Sequence, residues 1–172
     1  MKHIGIYPGT FDPLHEGHIA FALSAIERCQ LDSVVFMPEE LPRGKHDAVP
    51  IDERAAHIEY SIQSNHKLRM YRSNSARFSV NETLHELTTT FANSTLTLLV
   101  GSDVAVRIHL WPEISRLMKI CHLAIGLRDG ETISEIERAL DKLAAITSQP
   151  NNYSFITTPY AGVTSSQLRL QK

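Results

Sequence analysis

The chain has 172 residues, of which 42% are hydrophobic and 21% are charged, a composition ordinary for a globular protein with one well-formed core. A formal net charge of -2 provides no extended basic surface for a nucleic-acid duplex, so we expect any polyanion it binds to be small and locally recognised. No apolar run reaches membrane length, no secretory signature precedes the first strand, and the two cysteines are widely spaced. These features predict a cytoplasmic protein with no membrane or nucleic-acid partner.

Short apolar runs alternate with helical patterns along the chain, which is the rhythm of βαβ units in a parallel sheet. Strands are predicted at residues 4–7, 33–37, 67–71, 96–100, 121–126 and 153–156. Helices are predicted from the apolar spacing that begins at residue 19, at residues 51–63, 80–91, 111–118 and 133–145, and over a short stretch through residue 108. The fold class is therefore α/β with a mainly parallel sheet, in a single domain spanning residues 1–172.

The turn after the first strand carries the most informative motif. Gly9 allows a close approach of the backbone or a positive φ, and Asp12 precedes a proline and suits a turn or a helix cap. His15, Gly17 and His18 then lie near the start of the first helix, the glycine leaving space beside the first turn. Ligands of open α/β sheets bind at the carboxyl ends of strands, and helix N-termini favour anions. The turn therefore predicts a phosphate-binding site.

Two further groups follow later strands. Gly101 and Asp103 end the fourth predicted strand, where the carboxylate could accept hydrogen bonds from ribose hydroxyls or cap the short helix that follows. Trp111, the only tryptophan, is either a core residue or a stacking platform for an aromatic ring.

Basic and hydroxyl side chains complete the candidates. Ser165 and Ser166 follow the last strand with Arg169 one helical turn further on, a group that suits triphosphate oxygens or, alternatively, a capped and solvated helix start. Lys45 lies in a turn-rich loop, where it could bind a phosphate as a point charge or remain solvated.

Together these residues resemble the nucleotidyltransferase superfamily with an H-x-G-H motif, and most closely the bacterial nicotinate-nucleotide adenylyltransferases. The similarity covers nearly the whole chain, and its last segment is similar to the family's I-S-S-T-x-I-R. The segments that carry it are residues 7–18, 36–38, 42–45, 101–103, 111, 121–123 and 163–169. The resemblance implies a Rossmann-like three-layer sandwich of the adenylyltransferase type.

The resemblance also implies an activity: transfer of AMP from ATP to nicotinate or nicotinamide mononucleotide, with release of pyrophosphate, in NAD biosynthesis. The partners would be small nucleotides, with homo-oligomerisation left open, and Mg²⁺ would arrive on ATP, since no metal-ligand cluster appears in the sequence. The residues implied in catalysis are His15, His18, Lys45 and Arg169. Those implied in nucleotide binding are Gly9, Thr10, Phe11, Gly17, Gly101, Asp103, Ser165 and Ser166, and those implied in acceptor binding are Thr83 and Trp111.

Departures from the family pattern keep alternatives open. Gly44 stands where the family has a second loop histidine, and residues 78–84 are one residue longer than the family's acceptor-binding segment, so nicotinate is not distinguished from nicotinamide. The sequence ends soon after Arg169, which predicts a short, divergent member. The alternatives are a pantetheine-phosphate adenylyltransferase, which usually has threonine where His15 stands, and a non-catalytic nucleotide sensor. A dehydrogenase is disfavoured because no G-x-G-x-x-G follows the first strand.

Overall fold

A computed structural model describes residues 1–44, 47–127, 133–148, 150 and 152–158. Its strands are β1 (Lys2–Gly9), β2 (Ser33–Pro38), β3 (Leu68–Met70), β4 (Ser94–Gly101), β5 (Cys121–Gly126) and β6 (Tyr153–Ile156). They form one sheet in the order β3-β2-β1-β4-β5-β6, and every neighbouring pair is parallel. The predicted parallel α/β architecture is therefore confirmed.

Helices cover both faces of this sheet. They are α1 (Glu16–Arg28), α2 (Ile51–Ile62), α3 (Val80–Thr90), α4 (Ser102–Ala105), a 3₁₀ helix (Ile108–Leu110), α5 (Ile114–Met118) and α6 (Ile133–Thr147). The apolar stripes of α1 and α2 pack on one face, and those of α3 to α6 pack on the other. The result is the Rossmann-like three-layer sandwich that the resemblance implies. No helix within the described residues is both long and apolar enough to cross a membrane.

The central strands are apolar on both sides because both faces are covered. All six residues of β2 are buried. In β4, Leu98 contributes to the core beneath α3 to α6, whereas its neighbour Leu99 contributes to the core beneath α1 and α2. Successive side chains of a strand point to opposite faces of the sheet. A strand that is buried on both faces therefore appears in the sequence as an uninterrupted apolar run.

The strand order places β1 at a topological switch point. From β1 the chain proceeds to β2 on one side, whereas β4 pairs with β1 on the other. Ligands of open α/β sheets bind in the crevice at such a point, outside the carboxyl ends of the strands. Gly9 and Gly101 are the last residues of β1 and β4, so the two motifs that follow them border the same crevice.

The region before β5 differs from the sequence prediction. A helix was expected from residue 111, but Trp111 follows the 3₁₀ helix in an extended conformation and α5 begins only at Ile114. The residue before a proline is pushed out of the helical region, and Pro112 follows Trp111 directly. Glu113 then has a left-handed backbone with φ of 58°. These two backbone conformations delay the helix by one turn.

Replacing Leu143 by Ala tests the core beneath α6. The Leu143 side chain is fully buried, so its truncation should lower the free energy of unfolding by about 2–5 kcal/mol. Ile146 lies on the same helix and is 50% exposed, and Ile146→Ala should cost less than about 1 kcal/mol. Urea unfolding followed by circular dichroism measures both values, and equal losses in the two variants would contradict the assigned helix face.

Candidate functional site

Phe11 closes the turn after β1. Its backbone is left-handed, with φ of 50°, which is uncommon outside glycine, and its side chain is only 2% exposed. The ring makes edge contacts with Tyr7 and His18, each at a centroid distance of 5.2 Å, and with Phe36 at 5.3 Å. A Cβ atom at Gly9 would lie 3.0 Å from this ring, and Gly9 has no positive φ. A side chain at position 9 would therefore crowd the Phe11 ring.

The two motif histidines lie at the start of α1. His15 is the N-cap residue, and its backbone N–H donates a hydrogen bond to Nδ1 of His18 at 3.2 Å. The two imidazole rings stack with a centroid distance of 3.7 Å and an interplanar angle of 28°. Because Nδ1 of His18 accepts, a neutral ring carries its proton on Nε2. Gly17 lies between the two histidines in the first turn of α1.

The end of β4 supplies the second side of the crevice. Gly101 is the N-cap of α4, Ser102 is buried and Asp103 is exposed in the first turn. Gly101, and not Asp103, therefore occupies the N-cap position of α4, and no side chain caps this helix end. Since β1 and β4 are neighbours in the sheet, Asp103 and the histidine pair follow adjacent strand ends.

Arg54 is a residue that the sequence interpretation missed. It extends from the first turns of α2 and is only 3% exposed. Its guanidinium donates hydrogen bonds to the backbone carbonyls of Thr10 and Val49, both at 2.6 Å, and of Glu39 at 2.9 Å. Burial lowers the pKa of Arg54, while the nearby carboxylates of Asp12 and Glu39 oppose this shift. An arginine stays protonated in proteins, so the site has a buried cation beneath the β1 turn.

A signal for Arg54 exists in the sequence. Arg54 lies in register with the apolar positions Ala55, Ile58 and Ile62 of α2, all of which are buried. A basic residue within an apolar stripe must find acceptors, because a buried unpaired charge is costly. The periodicity alone could have identified Arg54 as buried, although not its partners.

The segment between β3 and α3 is fixed by Glu86, which the sequence interpretation also missed. Its carboxylate accepts hydrogen bonds from the hydroxyls of Ser73 at 2.6 Å and Tyr71 at 2.7 Å, and from the backbone N–H of Asn74 at 2.9 Å. Burial alone would raise the pKa of Glu86, but the hydrogen bonds from Ser73, Asn74 and Tyr71 outweigh it and lower the pKa. Glu86 therefore anchors this segment to α3 as a carboxylate.

The same segment ends next to the predicted acceptor residues. The ring centroid of Phe78 lies 5.8 Å from that of Trp111, and both rings contact the core beneath α3 to α6. Thr83 is fully buried, and its hydroxyl donates to the backbone carbonyl of Ser79 one helical turn earlier. That bond uses the only hydrogen-bond donor of the Thr83 side chain. A contact between this hydroxyl and the acceptor substrate therefore stays a prediction. Trp111 is partly exposed and has a neighbouring aromatic ring.

Four of the residues singled out by the sequence lie outside the part of the chain that the structure describes. They are Lys45, Ser165, Ser166 and Arg169. Their roles therefore stay predictions.

Both cysteines are free thiols, with Cys121 buried and Cys29 partly buried. Burial raises the pKa of the Cys121 thiol to about 12, and burial also raises that of Cys29 against the opposing effects of Ser154 and Arg28. Neither thiol is activated as a nucleophile. Within the described ranges, no group of three or more His, Cys, Asp or Glu side chains is placed to hold a metal ion.

This chain is similar in sequence to known proteins. The sequence model of the family described as cytidylyltransferase-like matches residues 6–171. The chain is 27% identical over 173 residues to a protein of Neisseria meningitidis serogroup A named "Probable nicotinate-nucleotide adenylyltransferase", covering 98% of this chain and 88% of the relative. A protein of Clostridium tetani with the same name is 27% identical over 174 residues, covering 98% of this chain and 86% of that protein.

Solved structures share the fold. Nicotinic acid mononucleotide adenylyltransferase of Plasmodium falciparum complexed with NaAD superposes with a TM-score of 0.76 at 21% identity, over 99% of this chain and 83% of that one. A structure from Vibrio parahaemolyticus described as a "Putative Nicotinate-nucleotide Adenylyltransferase" gives a TM-score of 0.61 at 12% identity, over 99% and 86%. At these identities the likeness establishes the three-layer architecture.

Replacing Glu86 by Gln tests the anchoring of the segment that precedes α3. The amide offers one acceptor oxygen and adds two unwanted donors, so the free energy of unfolding at neutral pH should fall by about 1 kcal/mol. The folded pKa of Glu86 lies below the ordinary value of 4.5. The stability that the carboxylate contributes is therefore present above about pH 5 and is lost as the pH falls through the folded value.

Urea unfolding of wild type and variant across this pH range measures the effect. The control is Glu59→Gln, which changes an exposed carboxylate of α2 and should have little effect at any pH. A difference for Glu86→Gln that persists unchanged into strong acid would contradict the role assigned to the ionised carboxylate.

Proposed function

The chain belongs to the cytidylyltransferase-like family, and from this we propose that it is an adenylyltransferase that joins ATP to nicotinate or nicotinamide mononucleotide. The products are the dinucleotide and pyrophosphate. The observation that carries the proposal is the stacked pair of His15 and His18 at the switch point of the sheet. Relatives that align with almost the whole chain are named for this activity. We further propose that residues 1–172 act as one cytoplasmic domain in NAD biosynthesis.

In the proposed reaction, a phosphate oxygen of the mononucleotide attacks the α-phosphorus of ATP. A new P–O bond forms there, the bond between the α-phosphorus and the bridging oxygen breaks, and pyrophosphate leaves with the electron pair. The acceptor phosphate has a second pKa of about 6 and is largely dianionic at neutral pH, so no general base is needed. The protein must align the groups and stabilise the charge that develops on the leaving oxygens.

The residues around the β1 turn have donors suited to this task. His18 can donate from Nε2, and His15 stacks against it at the N-terminus of α1, which favours anions. We propose that the backbones of Gly9, Thr10 and Phe11 line the phosphate site, with Gly17 keeping the first turn of α1 accessible. Lys45, Ser165, Ser166 and Arg169 are proposed as further phosphate contacts through the resemblance.

The neighbouring strand end and the aromatic pair are assigned to the nucleosides. We propose that Gly101 and Asp103 contact a ribose, because the exposed carboxylate can accept hydrogen bonds from hydroxyls. Trp111 beside Phe78 would offer a stacking surface to the pyridine ring of the acceptor. The proposed nucleotide substrate is Mg-ATP, with the metal ion bound to the phosphates and to water. All partners proposed are small nucleotides.

One assay distinguishes the candidate acceptors. Pyrophosphate release from Mg-ATP is measured with nicotinate mononucleotide, nicotinamide mononucleotide and phosphopantetheine in parallel. We expect turnover with one or both pyridine mononucleotides and none with phosphopantetheine. Turnover with phosphopantetheine alone would overturn the proposal, and no turnover with any acceptor would favour a nucleotide sensor on this fold.

Replacing His18 by Ala tests the contribution of the motif histidines. Loss of one preorganised donor should lower kcat about 100–1000-fold, while circular dichroism shows an unchanged fold. The control is His66→Ala, which removes an exposed imidazole from the turn before β3. Near-normal turnover in the His18 variant would remove this residue from the mechanism.

A further inference from the structure

Arg54 is the only basic side chain that is buried among the residues that the structure describes. Transferring a charged group out of water is costly unless the group is well paired, so such a residue needs a compensating role. The helix macrodipole does not compensate this buried charge, because Arg54 lies in the first turns of α2, where the macrodipole favours negative charge. The partners of Arg54 therefore indicate its role.

All strong hydrogen bonds of the guanidinium go to backbone carbonyls of three separate segments. Thr10 is 44 residues away, Glu39 is 15 residues away and Val49 is five residues away. Asp12 provides negative charge nearby and accepts a hydrogen bond from the backbone N–H of Val49 at 3.3 Å. Arg54 thus fixes the turn after β1 to both ends of the loop that follows β2.

The bond to Thr10 determines the orientation of one peptide group. The carbonyl of Thr10 and the N–H of Phe11 belong to the same planar, trans peptide and point in opposite directions. With the carbonyl held by Arg54 at 2.6 Å, the N–H of Phe11 must point away from the guanidinium. Phe11 is 2% exposed, yet its N–H has no hydrogen-bond acceptor among the described residues. Buried backbone donors without an acceptor are rare in folded proteins.

We propose that Arg54 is the positioning residue of the phosphate-binding turn, holding the Thr10 carbonyl so that the Phe11 N–H donates to a phosphate oxygen of the bound nucleotide. This inference rests on the proposed function. A rotation of the Thr10–Phe11 peptide would replace the N–H by a carbonyl oxygen, which repels a phosphate. Because the left-handed φ of Phe11 is uncommon for this residue type, the rotated peptide is accessible unless a contact opposes the rotation. Arg54 provides that contact without touching the substrate.

Arg54→Lys is the variant that tests this role. Lysine keeps the positive charge and can satisfy a carbonyl, but it lacks the planar fork that reaches three segments at once. We expect a folded protein whose kcat falls about 10–100-fold, with the KM for the acceptor changed less than about threefold. A purely structural role would lower the folded fraction and leave kcat per folded molecule unchanged. The control Arg28→Lys alters an exposed arginine at the end of α1 and should match wild type.

A direct readout comes from the Phe11 amide. The full chain contains six phenylalanines, so labelling with [¹⁵N]phenylalanine gives a simple amide spectrum in which Phe11→Leu identifies one peak. On addition of the Mg²⁺ complex of α,β-methylene-ATP, the Phe11 amide proton of wild type should move downfield more than the other phenylalanine amides. In Arg54→Lys this response should be lost or reduced while the Arg28→Lys control keeps it.

The outcomes separate the inference from the proposed function. If the analogue binds the wild-type protein and the Phe11 amide does not respond, the inference is overturned, even where Arg54→Lys does not fold. It is also overturned if folded Arg54→Lys retains wild-type kcat and the wild-type response. Binding of the analogue with a Phe11 response, but no turnover with any acceptor, would overturn the proposed function and support the inference. Absence of binding would overturn both.

Discussion

The hydrogen bonds of the buried Arg54 guanidinium join the turn after β1 to both ends of the loop that follows β2. The sheet and its helices fix where β1 and β2 end, but none of the described residues between 39 and 50, in the loop that follows β2, is buried. Carbonyls of Thr10, Glu39 and Val49 converge on one cation instead. A guanidinium suits this arrangement because its donors are coplanar and point in fixed directions. The geometry of the turn after β1 thus rests on this set of polar contacts as well as on the packing of the Phe11 ring.

The sheet explains why that turn is proposed as the site of nucleotide chemistry. Parallel pairing brings the carboxyl ends of β1 and β4 to one edge, and the switch in chain direction leaves a crevice between them. Aromatic contacts of Phe11 with Tyr7 and His18 then orient the start of α1. The histidine pair is therefore supported from the core side by packed rings.

The sequence predicted features whose cause is local. The strand-to-helix turn with its histidines follows from an apolar run, a glycine and helical spacing, and both strand and helix lie where these indicated. The extended backbone of Trp111 escaped prediction because the conformational restriction before Pro112 outweighs the helical pattern. The hydrogen-bond partners of Arg54 and Glu86 escaped prediction because they are backbone groups or distant hydroxyls, which leave no pattern of side-chain types. Contacts of this kind depend on the tertiary arrangement and cannot be predicted from the spacing of residue types in the sequence.

The two parts of the candidate site are connected through Glu39. Its backbone carbonyl accepts from Arg54, and its carboxylate accepts from the backbone N–H of Phe78 at 2.9 Å. Phe78 in turn contacts Trp111. The turn proposed to hold the ATP phosphates and the rings proposed to receive the pyridine therefore share one rigid frame. In-line transfer requires the acceptor oxygen and the α-phosphorus to be aligned within a fraction of an ångström, and a shared frame limits their relative motion. Under the proposed function, Glu39 thus couples acceptor placement to phosphate placement.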